Sequence, residues 1–453
     1  MTTANFDPGY WPAAIRIEPT RLRRIAGLAV PLIAGAVATN IMTVVDTLMV
    51  GQLGAAALAG VGIAGQVFFL LLAAALGLAA GVQALVARRV GQGRIEETGR
   101  VLNAGCLAAL LFGGALAAAG YLLVPVLFGW LHDDPLLVAQ GIAYLEPRLP
   151  SICIIAINVA FRSYWVGVDL AKFSMLSIVS LSLANILFNY MLIFGNWGAP
   201  RLDVAGAGLG STLAVMVGLL INIGFALRSA RSNGFLRGLP GGEDWRSMLR
   251  ISYPESLRQL LFTVGVLVMY VLVGMLGTQS LAAFHVIISI CLIAYMPHIG
   301  LGGAATTVVG EALGRDDEAD ARLWGWQVGN VTMVLLLGLA LLIVGFPAWV
   351  LSAFLIDADT LQLAVVPLQL AVLAHVFDGY SKVMGSAFIG LGDTQTAMRL
   401  TLLPQWLLLL PALALMAWSG MGLTAAMGAF VVVTGAAAIA AIWLWARRGS
   451  RRI

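Results

Sequence analysis

Long apolar runs dominate the chain, and their length predicts the elements. A helix needs roughly 20 apolar residues to cross a hydrocarbon core about 30 Å thick. Twelve runs of about this length are bounded by charged residues or by Gly and Pro, at residues 25–50, 58–87, 101–127, 141–168, 173–195, 205–227, 251–276, 281–310, 326–351, 361–391, 400–418 and 422–446. The runs are continuously apolar, whereas the strands of a membrane barrel alternate. The pattern therefore predicts an all-α polytopic membrane protein with twelve transmembrane helices.

The composition excludes most other classes of protein. Of the 453 residues, 60% are hydrophobic and 11% are charged, whereas soluble domains carry about 25% charged residues. A soluble enzyme, a nucleic-acid-binding protein and a disordered chain are therefore excluded. The three cysteines stand singly within apolar runs, so they predict neither a disulfide framework nor a metal-binding motif. We expect the lipid bilayer as a partner and no nucleic acid.

The basic residues indicate the orientation of the chain. Of the 26 Lys and Arg residues, only Arg148 and Arg201 fall on one side of the predicted spans, and the others cluster on the side of the two termini. Cytoplasmic loops of membrane proteins retain Lys and Arg. An even number of spans also places both termini on the same side. We therefore predict a multi-pass protein of the inner (cytoplasmic) membrane with both termini in the cytoplasm.

The two halves of the chain repeat one another. A shift of 223 residues aligns Pro31 with Pro254 and Gly54 with Gly277, without a gap over about sixty positions. Each half holds six spans, so the repeat is parallel, an architecture that secondary transporters use with the substrate site between the repeats. The predicted organisation is a cytoplasmic tail, a six-helix lobe, a cytoplasmic linker, a second six-helix lobe and a basic cytoplasmic tail, at residues 1–24, 25–227, 228–250, 251–446 and 447–453.

Several motifs resemble those of the multidrug and toxic compound extrusion (MATE) family. In the first helix, Pro31 precedes the string VDTLMVGQLG at 45–54, and glycine-rich segments follow at 77–91, 300–314 and 390–394. The resemblance implies a two-lobed exporter that exchanges H⁺ or Na⁺ for small organic compounds, often cationic, by alternating access. No GxxxxGK[ST] phosphate-binding motif is present. We therefore expect an antiporter driven by an ion gradient, not an enzyme, without a cofactor, and acting as a monomer.

Asp46 is the main candidate for ion coupling. Most of the 22 acidic residues fall in predicted loops, but Asp46 and Asp378 lie well within spans. A carboxylate inside a membrane costs several kcal/mol unless it is paired, hydrated or protonated, so such residues are functional candidates. A solvated residue at a helix end is the alternative for Asp46, because Gly51 ends the span five positions later. With the MATE-like string around it, we expect Asp46 to bind the coupling ion.

Polar residues on neighbouring helices are the predicted partners of Asp46. Asn185 and Asn189 stand four apart and therefore share one helix face, and Asn158 and Thr212 lie on adjacent spans. In some MATE proteins the second position of the fifth-helix pair is Asp, so Asn189 removes one negative charge. This weakens a possible Na⁺ site at Asp46, because a hard cation gains from each carboxylate, and no firm metal site is predicted. Interhelical hydrogen bonding is an equally good explanation of the two asparagines.

The second lobe carries its own polar group around Asp378. His375 lies one turn before Asp378 and Lys382 one turn after it. A structural ion pair between Asp378 and Lys382 is one prediction. The other is a contact to the substrate that includes Asp378 and His375, because the local sequence resembles the NorM-like branch of the family.

Aromatic residues and a proline complete the candidate set. The aromatic residues could line a cavity for flat organic cations, or they could be packing and interfacial residues; they are Phe161, Tyr164, Trp165 and Tyr190. Pro31 removes a backbone hydrogen bond inside the first helix, so it predicts a kink there.

Two alternative functions remain open from the sequence. A lipid-linked saccharide flippase of the same superfamily would hold a basic cavity, and the predicted spans contain almost no Lys or Arg. A polytopic membrane enzyme or channel is the other alternative. An enzyme would need paired catalytic groups on several helices, and here only His375 and Asp378 stand together, on one helix.

Overall fold

The computed structural model describes residues 17–131, 134–239, 241–354 and 357–448, and these ranges contain helices and turns without a β-strand. The greater part of the two predicted tails, 1–24 and 447–453, lies outside the described residues. The first half of the chain forms eight α-helices: α1 (Pro19–Gly51), α2 (Ala55–Leu76), α3 (Leu78–Gly91), α4 (Thr98–Leu131), α5 (Pro135–Leu145), α6 (Ser151–Gly167), α7 (Ala171–Phe194) and α8 (Asp203–Ser229).

The second half follows the same order. Its helices are α9 (Gly242–Gly274), α10 (Thr278–Gly314), α11 (Glu318–Gly345), α12 (Pro347–Ser352), α13 (Ala358–Gly390), α14 (Thr394–Leu403), α15 (Leu410–Trp418) and α16 (Leu423–Arg448), with a π-helical segment, Pro404–Leu409, between α14 and α15. The absence of strands from the described ranges agrees with the predicted all-α class.

Ten segments of the described chain are long and apolar enough to cross a membrane, and the bent helix α10 is an eleventh. The remaining predicted run, 141–168, does not form one long helix. It contains the end of α5 and all of α6, and these helices have 11 and 17 residues. Pro147 and Pro150 lie in the turn between them. Proline lacks an N–H group and disfavours the helical conformation in the residue before it, so this sequence interrupts the helix.

The connection between the halves is shorter than its hydrophilic sequence predicts. The polar stretch was expected to be a linker over 228–250, but α9 already begins at Gly242. Its first turn contains Glu243 and Asp244, and acidic side chains are favourable at a helix N-terminus. Hydropathy indicates where apolar sequence begins, whereas a helix can continue into polar sequence.

The contacts divide the chain into two compact units. The first unit is Pro31–Leu260, and the second combines Met1–Val30 with Leu261–Ile453. Both boundaries fall inside helices, at Pro31 in α1 and after Leu260 in α9. The start of α1 belongs to the second unit because Arg21 forms an ion pair with Asp320 there. The Arg21 guanidinium also lies 4.3 Å from the ring centre of Trp324.

Each unit has its own apolar core. In the first unit the core includes Phe128, Leu145 and Ile152, which are completely buried. In the second unit Phe284 and Leu368 are equally buried. Apolar burial of this kind holds the helices in place, and it fixes the positions of the few polar side chains among them.

Candidate functional site

Asp46, near the end of α1, accepts hydrogen bonds from two asparagines of α7. Asn189 Nδ2 donates to Asp46 Oδ1 at 2.8 Å. Of the two orientations of the Asn185 amide, one satisfies both its oxygen and its nitrogen. In it, Nδ2 donates to both carboxylate oxygens of Asp46, at 2.7 and 3.1 Å, and Oδ1 accepts from Ser211 Oγ at 3.2 Å. The orientation of an amide is assigned from its hydrogen-bond network in this way. Both asparagines are buried and Asp46 is half-buried.

The packing of α8 against α7 builds this pocket. Asn185 and Asn189 are four residues apart, so both point from α7 towards Asp46. Gly210 of α8 faces Asn189, and a Cβ at this position would overlap the Asn189 Oδ1 atom. Small residues allow membrane helices to approach closely, and here the approach brings Ser211 to Asn185. Asn189 Oδ1 is buried without a hydrogen-bond partner among the described residues.

Two residues predicted beside Asp46 lie elsewhere. Asn158 Nδ2 donates to Val215 O at 2.9 Å, and Asn158 Oδ1 accepts from Asn222 Nδ2 at 2.9 Å. Thr212 Oγ1 donates to the carbonyl of Pro147 at 2.7 Å. Ser211, one position earlier, is the α8 residue that meets Asn185. Adjacent residues on a helix point about 100° apart, so only one of Ser211 and Thr212 can face α7.

Arg148 is a charged residue that the sequence did not associate with Asp46. The positive-inside count predicts the outer side of the membrane for it, and its guanidinium lies 4.5 Å from the ring centre of Phe68 and 4.9 Å from that of Tyr144. It also interacts electrostatically with Asp46. The available sequence signal was the proline-flanked EPRL segment at 146–149, which interrupts the apolar run of 141–168.

In the second unit, Asp378 forms the ion pair that was one of the two predictions for this residue. Lys382 Nζ lies 2.7 Å from Asp378 Oδ2. The same Nζ lies 4.5 and 4.7 Å from the ring centres of Phe262 and Tyr295. His375 is the edge partner of Tyr295, with ring centres 6.4 Å apart. Asp378 is therefore compensated within its own helix.

Three of the four aromatic candidates are interior packing residues. Phe161, Tyr164 and Trp165 are at most 2% exposed, so a ligand cannot reach them in this structure. Tyr190 is 42% exposed, and its ring centre lies 5.9 Å from that of Trp197. Tyr190 alone among the four has an accessible ring.

No group of three or more His, Cys, Asp and Glu residues among the described residues could hold a metal ion. Asp46 contributes one carboxylate to its pocket, and Asn189 Oδ1 lies against Gly210. Pro31 lies within α1, which continues unbroken from Pro19 to Gly51, and the boundary between the units falls directly before it. The kink at Pro31 stays a prediction.

The comparisons with known proteins agree with this architecture. A sequence model of the MatE family matches residues 31–191 and 254–415. The two matches begin at Pro31 and Pro254, which confirms the internal repeat and its offset of 223 residues.

Relatives and solved structures cover nearly the same length. A probable multidrug resistance protein NorM from a Synechococcus strain is 30% identical over 411 residues, which are 87% of this chain and 86% of that protein. The probable NorM protein of Pseudomonas aeruginosa is 31% identical, over 93% of this chain and 88% of its own length. An outward-facing multidrug resistance MATE family transporter of the MOP superfamily superposes with a TM-score of 0.87 at 21% identity, covering 99% of this chain and 98% of the other.

Proposed function

The chain belongs to the MatE family, and from this premise we propose that it is a secondary active multidrug exporter that exchanges H⁺ or Na⁺ for small organic compounds. The names of its relatives support export of several compounds, since two of them are probable multidrug resistance proteins. The proposal includes a monomer in the cytoplasmic membrane with both termini in the cytoplasm. The asymmetric distribution of Lys and Arg supports this orientation.

The observation that carries the proposal is the environment of Asp46. Its carboxylate accepts from Asn185 and Asn189, and hydrogen bonds to a charged acceptor are worth about 1.5–3 kcal/mol each. These donors stabilise the charged form of Asp46 when no cation is bound. Because Asp46 is half-buried, it keeps a route for exchange with water. These two features support a role in which Asp46 exchanges a cation during alternating access.

Replacement of Asp46 by Asn tests the proposal. The purified full-length protein is reconstituted in liposomes, and movement of a fluorescent lipophilic cation is followed under an imposed pH gradient and, separately, under a Na⁺ gradient. We expect Asp46→Asn to abolish transport under the gradient that drives the unsubstituted protein, with an unchanged elution profile and melting temperature.

Asp203→Asn is the matched control, because Asp203 pairs with Arg201 at the exposed start of α8. It should transport normally. Gradient-driven transport at the unsubstituted rate by Asp46→Asn would remove Asp46 from the mechanism.

A further inference from the structure

Arg148 carries a half-buried guanidinium without a hydrogen-bonded counter-ion. It makes no hydrogen bond with the described residues, and its Nε atom is buried without a partner. The rings of Phe68 and Tyr144 contact its guanidinium instead. Cation–π contacts of this kind provide about 0.5–2 kcal/mol, which does not replace the hydration of a buried charge. The guanidinium therefore needs a negative charge within reach.

The turn that carries Arg148 is held rigidly. Each of its first three carbonyl groups accepts a side-chain hydrogen bond: Glu146 O from Tyr121 at 2.9 Å, Pro147 O from Thr212 at 2.7 Å, and Arg148 O from Ser151 at 2.6 Å. These donors lie on α4, α8 and α6. Because three helices fix the backbone, Arg148 projects from a constant position.

Helix α8 connects this turn with the Asp46 pocket. Its adjacent residues Ser211 and Thr212 bond in different directions, Ser211 to Asn185 and Thr212 to Pro147. Asn185 in turn donates to Asp46. Arg148 and Asp46 also interact electrostatically. Ser211 and Thr212 thus connect the pocket that contains Asp46 with the turn that carries Arg148.

We propose that Arg148 is the resident counter-charge of Asp46 and that it excludes Na⁺ from the Asp46 pocket. A metal cation that enters has to share the single carboxylate with a guanidinium, and hard cations gain affinity from each net negative charge. Organic cations are disfavoured at Asp46 for the same reason. The inference rests on the proposed function and adds to it the residue that determines which cation Asp46 accepts.

Removal of the positive charge should therefore create a Na⁺ site. The probe is Na⁺ itself, titrated into the purified full-length protein at constant pH and ionic strength with choline as the replacing cation. The readout is the melting temperature, which rises when a cation binds the folded state. We expect no Na⁺-specific rise in the unsubstituted protein. Arg148→Gln should show such a rise. Its half-saturating Na⁺ concentration should lie at least about tenfold below the highest concentration that leaves the unsubstituted protein unchanged, since a nearby charge shifts ion affinity by one to three orders of magnitude.

Two arginine variants serve as controls. Arg148→Lys retains the positive charge and should behave like the unsubstituted protein. Arg201→Gln removes an exposed arginine and should not create a Na⁺ response. The inference is overturned if Arg148→Gln shows no Na⁺-specific rise, or if the unsubstituted protein already binds Na⁺ as tightly as the variant.

A double-mutant cycle keeps the inference testable if the Arg148→Gln variant folds poorly. If Arg148→Gln is unstable, the double variant Asp46→Asn/Arg148→Gln should recover most of the lost melting temperature, because it removes both charges. Additive losses would overturn the pairing. The proposed function is judged separately, by transport in Asp46→Asn. Loss of transport there without any effect of Arg148→Gln would reject only the role of Arg148.

Discussion

Separate neutralisation of Asp378 and Lys382 will determine whether this pair is structural or part of transport. The two groups are 2.7 Å apart, with side chains 21% and 12% exposed. Asp378→Asn leaves the Lys382 ammonium among aromatic rings without its carboxylate. Lys382→Met leaves the carboxylate uncompensated instead. The double variant removes both charges and preserves most of the side-chain volume.

The geometry gives the expected size of the effect. At 2.7 Å and an effective dielectric constant of about 20, the Coulomb attraction is about 6 kcal/mol. Much of this offsets the loss of hydration, and removal of one partner from a buried pair costs about 3–5 kcal/mol. Because both groups keep some exposure to solvent, we expect the lower end, about 3 kcal/mol. For a unit of about this size, each single variant should melt about 6–12 °C lower.

The assay combines melting in detergent with transport in liposomes. If the pair is structural, both single variants lose stability, and the double variant melts within about 2 °C of the unsubstituted protein, because replacement of a buried pair by neutral groups is often neutral in stability. The double variant should then also transport normally.

Two results would refute this reasoning. One is a single variant that melts like the unsubstituted protein, which would mean that water already compensates each charge. The other is a stable double variant that no longer transports, which would assign a transport role to Asp378.

Two further predictions concern a close contact and a helix cap. Gly210→Ala places a Cβ against Asn189 Oδ1, so it should displace the Asn189 side chain. We expect it to reduce gradient-driven transport severalfold without loss of folded protein. Gly224→Ala is the control, because a Cβ at that position meets nothing within 4 Å. Asp357 caps α13, and its hydrogen bond from the Thr360 hydroxyl lowers the pKa of its carboxyl below the usual value. Its stabilising contribution should therefore be present at neutral pH and be lost as the pH falls through that lowered pKa, and Asp357→Ala should remove the acid sensitivity of melting that this cap causes. An unchanged acid profile in Asp357→Ala would contradict this.

The polar residues of the first unit show which contacts helical periodicity can predict and which it cannot. A spacing of four residues was enough to place Asn185 and Asn189 on one face, and the structure brings both to Asp46. The same reasoning could not choose between Ser211 and Thr212, because the rotation of α8 about its axis depends on its packing. Asn158 was expected in the same group, but it bonds to Asn222.

Apolar patterning also failed to separate lipid-facing positions from interior ones. Lipid chains and protein interiors are equally apolar, so hydropathy identifies a membrane helix without showing which of its faces is buried. Phe161 and Tyr190 were therefore indistinguishable in the sequence, although one is buried and the other is 42% exposed. The ion pair of Asp378 was foreseen as one alternative, since a spacing of four residues permits it but does not require it.

From the sequence we could predict most of the membrane helices, the repeat that begins at Pro31 and Pro254, and a carboxylate within a span at Asp46. These properties depend on composition and spacing along the chain, so they can be predicted without knowing which helices are in contact. The contacts of the Arg148 guanidinium with Phe68 and Tyr144 depend on the packing of distant helices, so only the folded structure reveals them. A count of charges along the chain predicts the side of the membrane for Arg148, but it contains no information about which distant helices surround its turn.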